Sequence, residues 1–402
     1  MPRDDLETLL KPYGQQHLLA FWNRLDTSQR SLLENEILRI DWNEFNKQKE
    51  LLKNGEHHLT GVHPVKHPPR QPNSEIMAYG NRMLKAGKVG SLMVAGGQGT
   101  RLGFNGPKGK YPLLYDGTTL FELFARKIQQ ATEKWGYLFP LAIMTSPLNH
   151  EETVEFFNKH GNFGLRNEQL FFFRQNVTPF LNETKDMFLE TPCTIAQGPG
   201  GNGEAISLLF KEGIAEKWKQ RGIEYIVFFQ VDNALIDPLN SALIGMTSLH
   251  NLDVGIVCIE RENPLEKLGV LVEESGKIVV REYSELSEET MQSRDASGLM
   301  KYRWGNISHF CFSLSFMQQV YENYERTFPL HKAFKQAPYL NQNLETIMPS
   351  HPNAWKFERF IFDLLPSSNK TDLIVFPREA IYAPLKNREG TYSPGWVRGL
   401  LN

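Results

Sequence analysis

The stretch that constrains this chain most runs from Ser91 to Leu113, SLMVAGGQGTRLGFNGPKGKYPL. Its apolar run, Leu92-Met93-Val94-Ala95, gives way at once to Gly96-Gly97-Gln98-Gly99-Thr100-Arg101-Leu102-Gly103. A buried strand ending in a glycine cluster is how an α/β protein exposes bare backbone amides at the carboxyl edge of its sheet. Glycine lets the chain enter φ > 0 and lets a phosphate approach with no Cβ in the way. Three cations, Arg101, Lys108 and Lys110, follow closely. Amides and cations at a strand end predict a polyphosphate site.

Two commoner phosphate loops do not fit. A Walker A loop needs Gly, four residues, then Gly-Lys-Ser/Thr, but Gly109-Lys110 is followed by Tyr111 and position 104 is Phe. Gly97 and Gly99 satisfy the first two positions of a dinucleotide fingerprint, yet the third is Leu102. No second strand ending in an acid follows at the usual distance, which disfavours an NAD-dependent oxidoreductase.

Around this loop, strand and helix patterns alternate. Thr119 to Trp135 carries Leu120, Phe124, Ile128 and Ala131 on one face and stops at Gly136, the pattern of a helix with a glycine C-terminal signal. Leu138 to Thr145 reads as a strand, Glu151 to Lys159 as a helix and Gln169 to Arg174 as a strand. A helix over Ala205 to Gln220 and a strongly apolar strand over Ile223 to Val231 follow. Such alternation predicts an α/β fold, an open, mixed, mostly parallel sheet with helices on both faces and ligands at the carboxyl ends of its strands. Beyond residue 250 the pattern loosens into a strand (253–260), a hairpin around Glu274-Ser275-Gly276, a strand (309–315), a helix (316–327) and a last strand (372–376).

The expected division is a helical N-terminal extension and linker (1–70), a catalytic domain (71–365) and a short C-terminal appendage (366–402). Asp26 and Gln29 read as a capping box opening a helix with Leu33, Ile37 and Ile40 on one face. The linker holds His57, His58, His63 and His67, but its prolines favour a solvated connector over a metal cluster.

At the strand ends, Asp232 closes a buried apolar strand, a placement comfortable only beside a metal, a cation or a ligand, or as a helix cap. Gln175 follows the strand from Gln169 and could read a base edge through its amide. Gly201-Asn202-Gly203 lies in a second glycine-rich loop leading into a helix.

Charge narrows the partners. With 44 Lys+Arg against 46 Asp+Glu, the net charge of −2 argues against nucleic acid or an anionic membrane recognised by bulk charge. Three scattered cysteines, Cys193, Cys258 and Cys311, fit a reducing cytoplasm. The N-terminus has no apolar signal region and no run of about 18 apolar residues occurs, so a cytosolic protein, a monomer or weak homo-oligomer, is expected.

The glycine loop followed by Pro107-Lys108-Gly109 resembles the signature of the eukaryotic-type UDP-sugar pyrophosphorylases, and more narrowly of the UDP-N-acetylhexosamine pyrophosphorylases. Further motifs match in order: Phe172-Phe173-Arg174-Gln175, Gly201-Asn202-Gly203, Val231-Asp232-Asn233, Leu268-Gly269-Val270, Glu282-Tyr283-Ser284-Glu285, Gly305-Asn306 and Pro384-Leu385-Lys386-Asn387. Glu204 stands where the family usually has glycine, and the chain ends soon after Lys386, so nothing belonging to a longer C-terminal domain is carried over.

The resemblance implies a Rossmann-like (GT-A-like) fold and a uridylyltransferase joining UTP to a sugar 1-phosphate, foremost N-acetylglucosamine 1-phosphate, with release of pyrophosphate. It implies that Gly96, Gly97, Gly99, Thr100, Gln175 and Gly201 hold the nucleotide and that Asn202, Gly269, Glu282 and Asn306 line the sugar pocket. Asp232 would hold Mg²⁺, Arg101 and Lys108 the pyrophosphate, and Lys386 the sugar phosphate and α-phosphate. The alternatives are the same reaction on glucose or galactose 1-phosphate, which Asn202 disfavours because glucose-type relatives usually carry His there, and a non-catalytic nucleotide-sugar sensor.

Overall fold

The computed structural model describes residues 1–53, 61–324 and 328–401. His57, His58 and the end of the helix expected to reach Thr327 lie outside the described residues. Contacts divide the chain into two compact units, each assembled from three stretches: Met1–His57, Asn176–Asn202 and Pro329–Phe360; and His58–Gln175, Gly203–Phe328 and Ile361–Asn402. These interleaved units do not follow the linear division at residues 70 and 365.

The first unit opens with helices α1 (Arg3–Leu10), α2 (Thr27–Leu38) and α3 (Trp42–Lys53). Asp26 accepts from the backbone N–H of Gln29, whose side chain accepts in return, so the expected capping box is present. Leu33 and Ile37 of α2 are buried with Leu6, Leu18, Phe45, Leu181 and Phe357. Short antiparallel ladders, such as Val177–Pro179 with Gln197–Pro199, complete this unit.

The second unit is built on a ten-stranded mixed sheet. Its strands are β1 (His63–Pro64), β2 (Val89–Val94), β3 (Leu141–Thr145), β4 (Leu170–Arg174), β5 (Tyr225–Gln230), β6 (Val254–Glu260), β7 (Val270–Glu274), β8 (Lys277–Arg281), β9 (Trp304–Ser313) and β10 (Thr371–Val375). Strands β5, β2, β3 and β4 lie side by side and parallel. On the far side of β5, antiparallel β9 leads to β7 and β6, and β10 pairs parallel to β6. The late segment read as an appendage thus contributes a strand to this sheet.

Helices cover both faces of β2, as the apolar run predicts. Val89 and Met93 join the core made by Leu120, Phe121, Phe124, Ala125 and Ile128 of α5 (Leu120–Trp135), which follows α4 (Ser74–Lys85). Gly90, on the opposite face by the two-residue alternation of a strand, meets the Trp218 ring. α5 starts at Thr119, whose side chain accepts from the Glu122 N–H, and stops at left-handed Gly136. After α6 (His150–Lys159) comes one departure from expectation. The single helix expected over 205–220 is two, α7 (Glu204–Lys211) and α8 (Ile214–Gln220), because Gly213 turns the chain with φ +68°. α9 (Ser241–Leu249) packs on α4.

Candidate active site

The parallel register sets one edge. Val94 is level with Met144 of β3 and Gln230 of β5, and Thr145 with Arg174 of β4. The residues that follow these ends are Gly96, Ser146, Gln175 and Asp232, so three of the motifs read from sequence emerge at the same carboxyl edge.

Beyond β2 the loop folds back on itself. Gly99 N–H donates to the Gly106 carbonyl (2.9 Å) and Lys108 N–H to the Gly97 carbonyl (3.0 Å). Thr100 and Arg101 occupy one turn of 3₁₀ helix closed by left-handed Gly103, and Arg101 is exposed. No atom lies within 4 Å of where a Cβ at Gly97 would sit, so this part of the loop is open. Gly96 is enclosed. Its Cβ would stand 2.3 Å from Nε2 of Gln175, which is 6% exposed and bonded through its N–H to the Thr145 carbonyl (2.9 Å). What a side chain at 96 would displace is therefore the Gln175 carboxamide, and no left-handed backbone conformation demands glycine there.

Asn149 was not singled out in the sequence. It is 1% exposed, accepts the Ser146 N–H (2.8 Å) and donates to the Ala95 carbonyl (3.1 Å), tying the end of β3 to the root of the loop. An Asn just before a helix reads as a cap; only its contacts reveal the other task.

Lys108 and Asp232, assigned separately from sequence, come together with Nζ and Oδ2 3.7 Å apart, both side chains mostly shielded from solvent. Lys110, read as the loop's third cation, is instead paired with Glu152 (2.5 Å) and lies over the Phe156 ring, so its charge is already matched. Lys386 reaches this edge by a latch. Leu385 N–H donates to the Asp232 carbonyl (2.8 Å). Asn233, 2% exposed, donates to the Ile381 carbonyl (2.9 Å) and accepts the Ala383 N–H (2.8 Å). The residue next to the acid is thus what docks the lysine segment. From beneath, Lys127 of α5 donates to the carbonyls of Ala234 (2.8 Å) and Ile236 (2.6 Å). Burial pulls its ammonium down to about 8, against the opposing pull of Asp237.

The residues of this unit expected from sequence to line the sugar pocket also converge. Asn306 N–H donates to the Gly269 carbonyl (2.8 Å), and Oε1 of Glu282 lies 3.8 Å from where a Cβ at Gly269 would sit. β9 runs antiparallel to β5, which carries its first residues, including Asn306, toward the end of β5 that leads to Asp232. Gly201 and Asn202 belong to the first unit. There Gly201 has φ +97°, and a Cβ would meet the Arg359 carbonyl oxygen at 2.3 Å. Among the described residues no three His, Cys, Asp or Glu side chains group as ion ligands, and no helix is long and apolar enough to cross a membrane.

The chain matches known proteins along nearly its whole length. The profile of the family described as UTP–glucose-1-phosphate uridylyltransferase covers residues 31–391. The human UDP-N-acetylhexosamine pyrophosphorylase-like protein 1 is 31% identical over 418 residues, 96% of this chain and 80% of that protein. The UDP-N-acetylglucosamine pyrophosphorylase of Saccharomyces cerevisiae is 31% identical over 326 residues, 79% of this chain and 68% of that protein. The crystal structure of the Trypanosoma brucei uridine diphosphate N-acetylglucosamine pyrophosphorylase, in complex with an inhibitor, superposes with a TM-score of 0.83 at 27% identity, covering 99% of this chain and 84% of that one. The α/β fold expected from the alternating pattern is the fold of these enzymes, and the chain belongs to the UTP–glucose-1-phosphate uridylyltransferase family.

Proposed function

We propose that this member of the family joins UTP to N-acetylglucosamine 1-phosphate, releasing pyrophosphate. The observation that carries the reading is the meeting of Gly96, Gln175, Lys108 and Asp232 at one sheet edge, with the Lys386 segment docked there through Asn233. The choice of sugar rests on the named relatives and on Asn202 in the Gly-Asn-Gly loop.

The attacking group is the phosphate oxygen of the sugar 1-phosphate, already an anion, so no general base is needed. The bond formed joins that oxygen to the α-phosphorus of UTP, the bond broken releases pyrophosphate, and no proton must move. The chain's task is to hold two anions in line and to absorb charge on the leaving group. Gly97, Gly99 and Thr100 offer the loop backbone, and Gln175 its amide to the uracil edge. Arg101 and Lys108 take the departing pyrophosphate, while Lys386 bridges the two reacting phosphates. Gly201 and Asn202, with Gly269, Glu282 and Asn306, keep the nucleotide and sugar roles their motifs assign. A carboxylate at an edge that receives phosphates suits Mg²⁺, a hard ion that keeps few protein ligands and takes the rest from phosphates and water. Asp232 would hold it, and it would supply charge neutralisation on the phosphates. The unpaired Cys193, Cys258 and Cys311 suit a reducing cytoplasm, where such a protein would work as a monomer or weak homo-oligomer.

A panel of sugar 1-phosphates with UTP and Mg²⁺, read by pyrophosphate release, tests the proposal. N-acetylglucosamine 1-phosphate should give the highest kcat/KM. A preference for glucose 1-phosphate, the sugar in the family's description, would replace the substrate and keep the chemistry. UTP binding with no pyrophosphate from any sugar would make the chain a sensor instead.

A further inference from the structure

Gly269, Glu282 and Asn306, expected to line the sugar pocket, and Lys386, expected to hold the reacting phosphates, lie on separate stretches of the chain. One arginine joins them. Arg378, with a side chain 15% exposed, places Nη2 between both oxygens of Glu266 at 2.7 and 2.9 Å. Its Nη1 donates to the Tyr392 hydroxyl (3.3 Å), and Nε stands 3.4 Å from the exposed Glu262. The Tyr382 ring flanks the guanidinium at 5.4 Å.

Each partner is one step from a site segment. The Glu266 carbonyl accepts the N–H of Leu268 (2.9 Å), and the next residue, Gly269, is the one bonded to Asn306. The Tyr392 carbonyl accepts the N–H groups of Lys386 (3.0 Å) and Asn387 (3.2 Å). The stretch before Gly269 is held from its other side too, by Arg261, which donates to the Pro264 carbonyl (2.9 Å). A largely buried ion pair is a poor source of stability, because desolvating both charges offsets their attraction. What a planar fork with several donors does well is fix the relative placement of the groups it contacts.

We infer that Arg378 is a positioning residue for uridylyl transfer, which through Glu266 and Tyr392 holds the Leu268–Gly269 segment and the Lys386 turn in one register. This rests on the role proposed above for Lys386.

Arg378→Lys keeps the charge but cannot reach Glu266 and Tyr392 at once. It should be measured in the full chain on two backgrounds, unaltered and Lys386→Ala, by pyrophosphate release against N-acetylglucosamine 1-phosphate, by calorimetric UTP affinity and by Tm. On the unaltered background kcat/KM for the sugar phosphate should fall at least ten-fold with UTP affinity within two-fold. On the Lys386→Ala background the same change should cost less than two-fold, since the lysine it positions is gone. An equal loss on both backgrounds, or no loss on the first, overturns the inference while leaving Lys386 its role. Full turnover by Lys386→Ala alone removes that role and the inference with it. Should Arg378→Lys not fold, Tyr392→Phe decides: a loss confined to the unaltered background supports the inference, and a loss that is absent or equal on both overturns it.

Discussion

Replacing Gly96 by alanine separates nucleotide selection from stability. The new methyl would sit 2.3 Å from Nε2 of Gln175 and 3.3 Å from its Cδ. Those atoms end a flexible side chain, so the carboxamide swings aside and the backbone, not in the left-handed region at 96, stays put. To regain ordinary contact the nitrogen must retreat by about 1 Å, which takes a 2.9 Å hydrogen bond past its useful limit. Two neutral hydrogen bonds to a uracil edge, at about 1 kcal/mol each, give a loss of roughly 2 kcal/mol, or about thirty-fold. The assay is kcat/KM for UTP divided by that for CTP, with Tm recorded alongside. Gly96→Ala and Gln175→Ala should each cut this ratio about thirty-fold, with the double variant no worse than either and Tm nearly unmoved. Multiplying losses in the double variant would refute the reasoning, because they would mean that the two residues act through different contacts.

Other consequences follow from single contacts. Lys108→Ala should lower kcat by a factor equivalent to roughly 2.7–4 kcal/mol, the scale of a lost transition-state donor, while the protein stays folded; near-unaltered pyrophosphate release would remove Lys108 from the site. Gly201→Ala should behave oppositely to Gly96→Ala. At φ +97° and 2.3 Å from the Arg359 carbonyl oxygen neither strain nor clash is relieved by a side-chain swing, so a loss of about 2–3 kcal/mol should appear as a lowered urea midpoint. Lys127 predicts a pH effect. Folded, it releases its proton at about 8, whereas unfolded it keeps it to about 10.4, so between these values the unfolded chain binds more protons and stability rises with pH. The contribution reaches roughly 3 kcal/mol at most, and the excess slope of unfolding free energy between pH 8 and 10 should vanish in Lys127→Met.

The glycine loop was legible because chemistry and secondary structure change together within a few residues: an apolar strand stops, glycines begin, and Arg101 and Lys108 follow. Gln175 and Asp232 were legible for a related reason, since each directly follows a strand whose register with β2 a parallel sheet fixes. What the sequence does not carry is pairing between stretches far apart. Lys110 reads like Lys108 until Glu152, on another helix, neutralises it. Asn233 and Asn149 look like ordinary polar residues at element ends; the latches they form depend on segments more than 50 and nearly 150 residues away. The split of the 205–220 helix was visible in Gly213, but a helical glycine is tolerated often enough that only its left-handed φ decides. Gly201 also had a second reason to be glycine, the Arg359 backbone, that no local pattern contains.

The pairing of Lys108 with Asp232 bears on how a divalent ion enters. A Mg²⁺ site that loads before the nucleotide needs several oxygen ligands from the protein. Here the edge offers one carboxylate, already facing an ammonium at 3.7 Å, and among the described residues no group of three such ligands exists. An ion arriving alone would have to displace or repel that ammonium while gaining a single charged ligand. A nucleotide carrying the ion brings its own phosphate oxygens and offers Lys108 a new partner, so the cost of parting the pair is offset by two new contacts. Free Mg²⁺ should therefore bind the nucleotide-free protein only in the millimolar range, and Lys108→Met, which frees Asp232, should tighten that binding severalfold even as it lowers turnover. Calorimetric titration of the nucleotide-free protein checks both. A micromolar affinity for the free ion, or no change with Lys108→Met, would mean that Asp232 and Lys108 do not compete as argued.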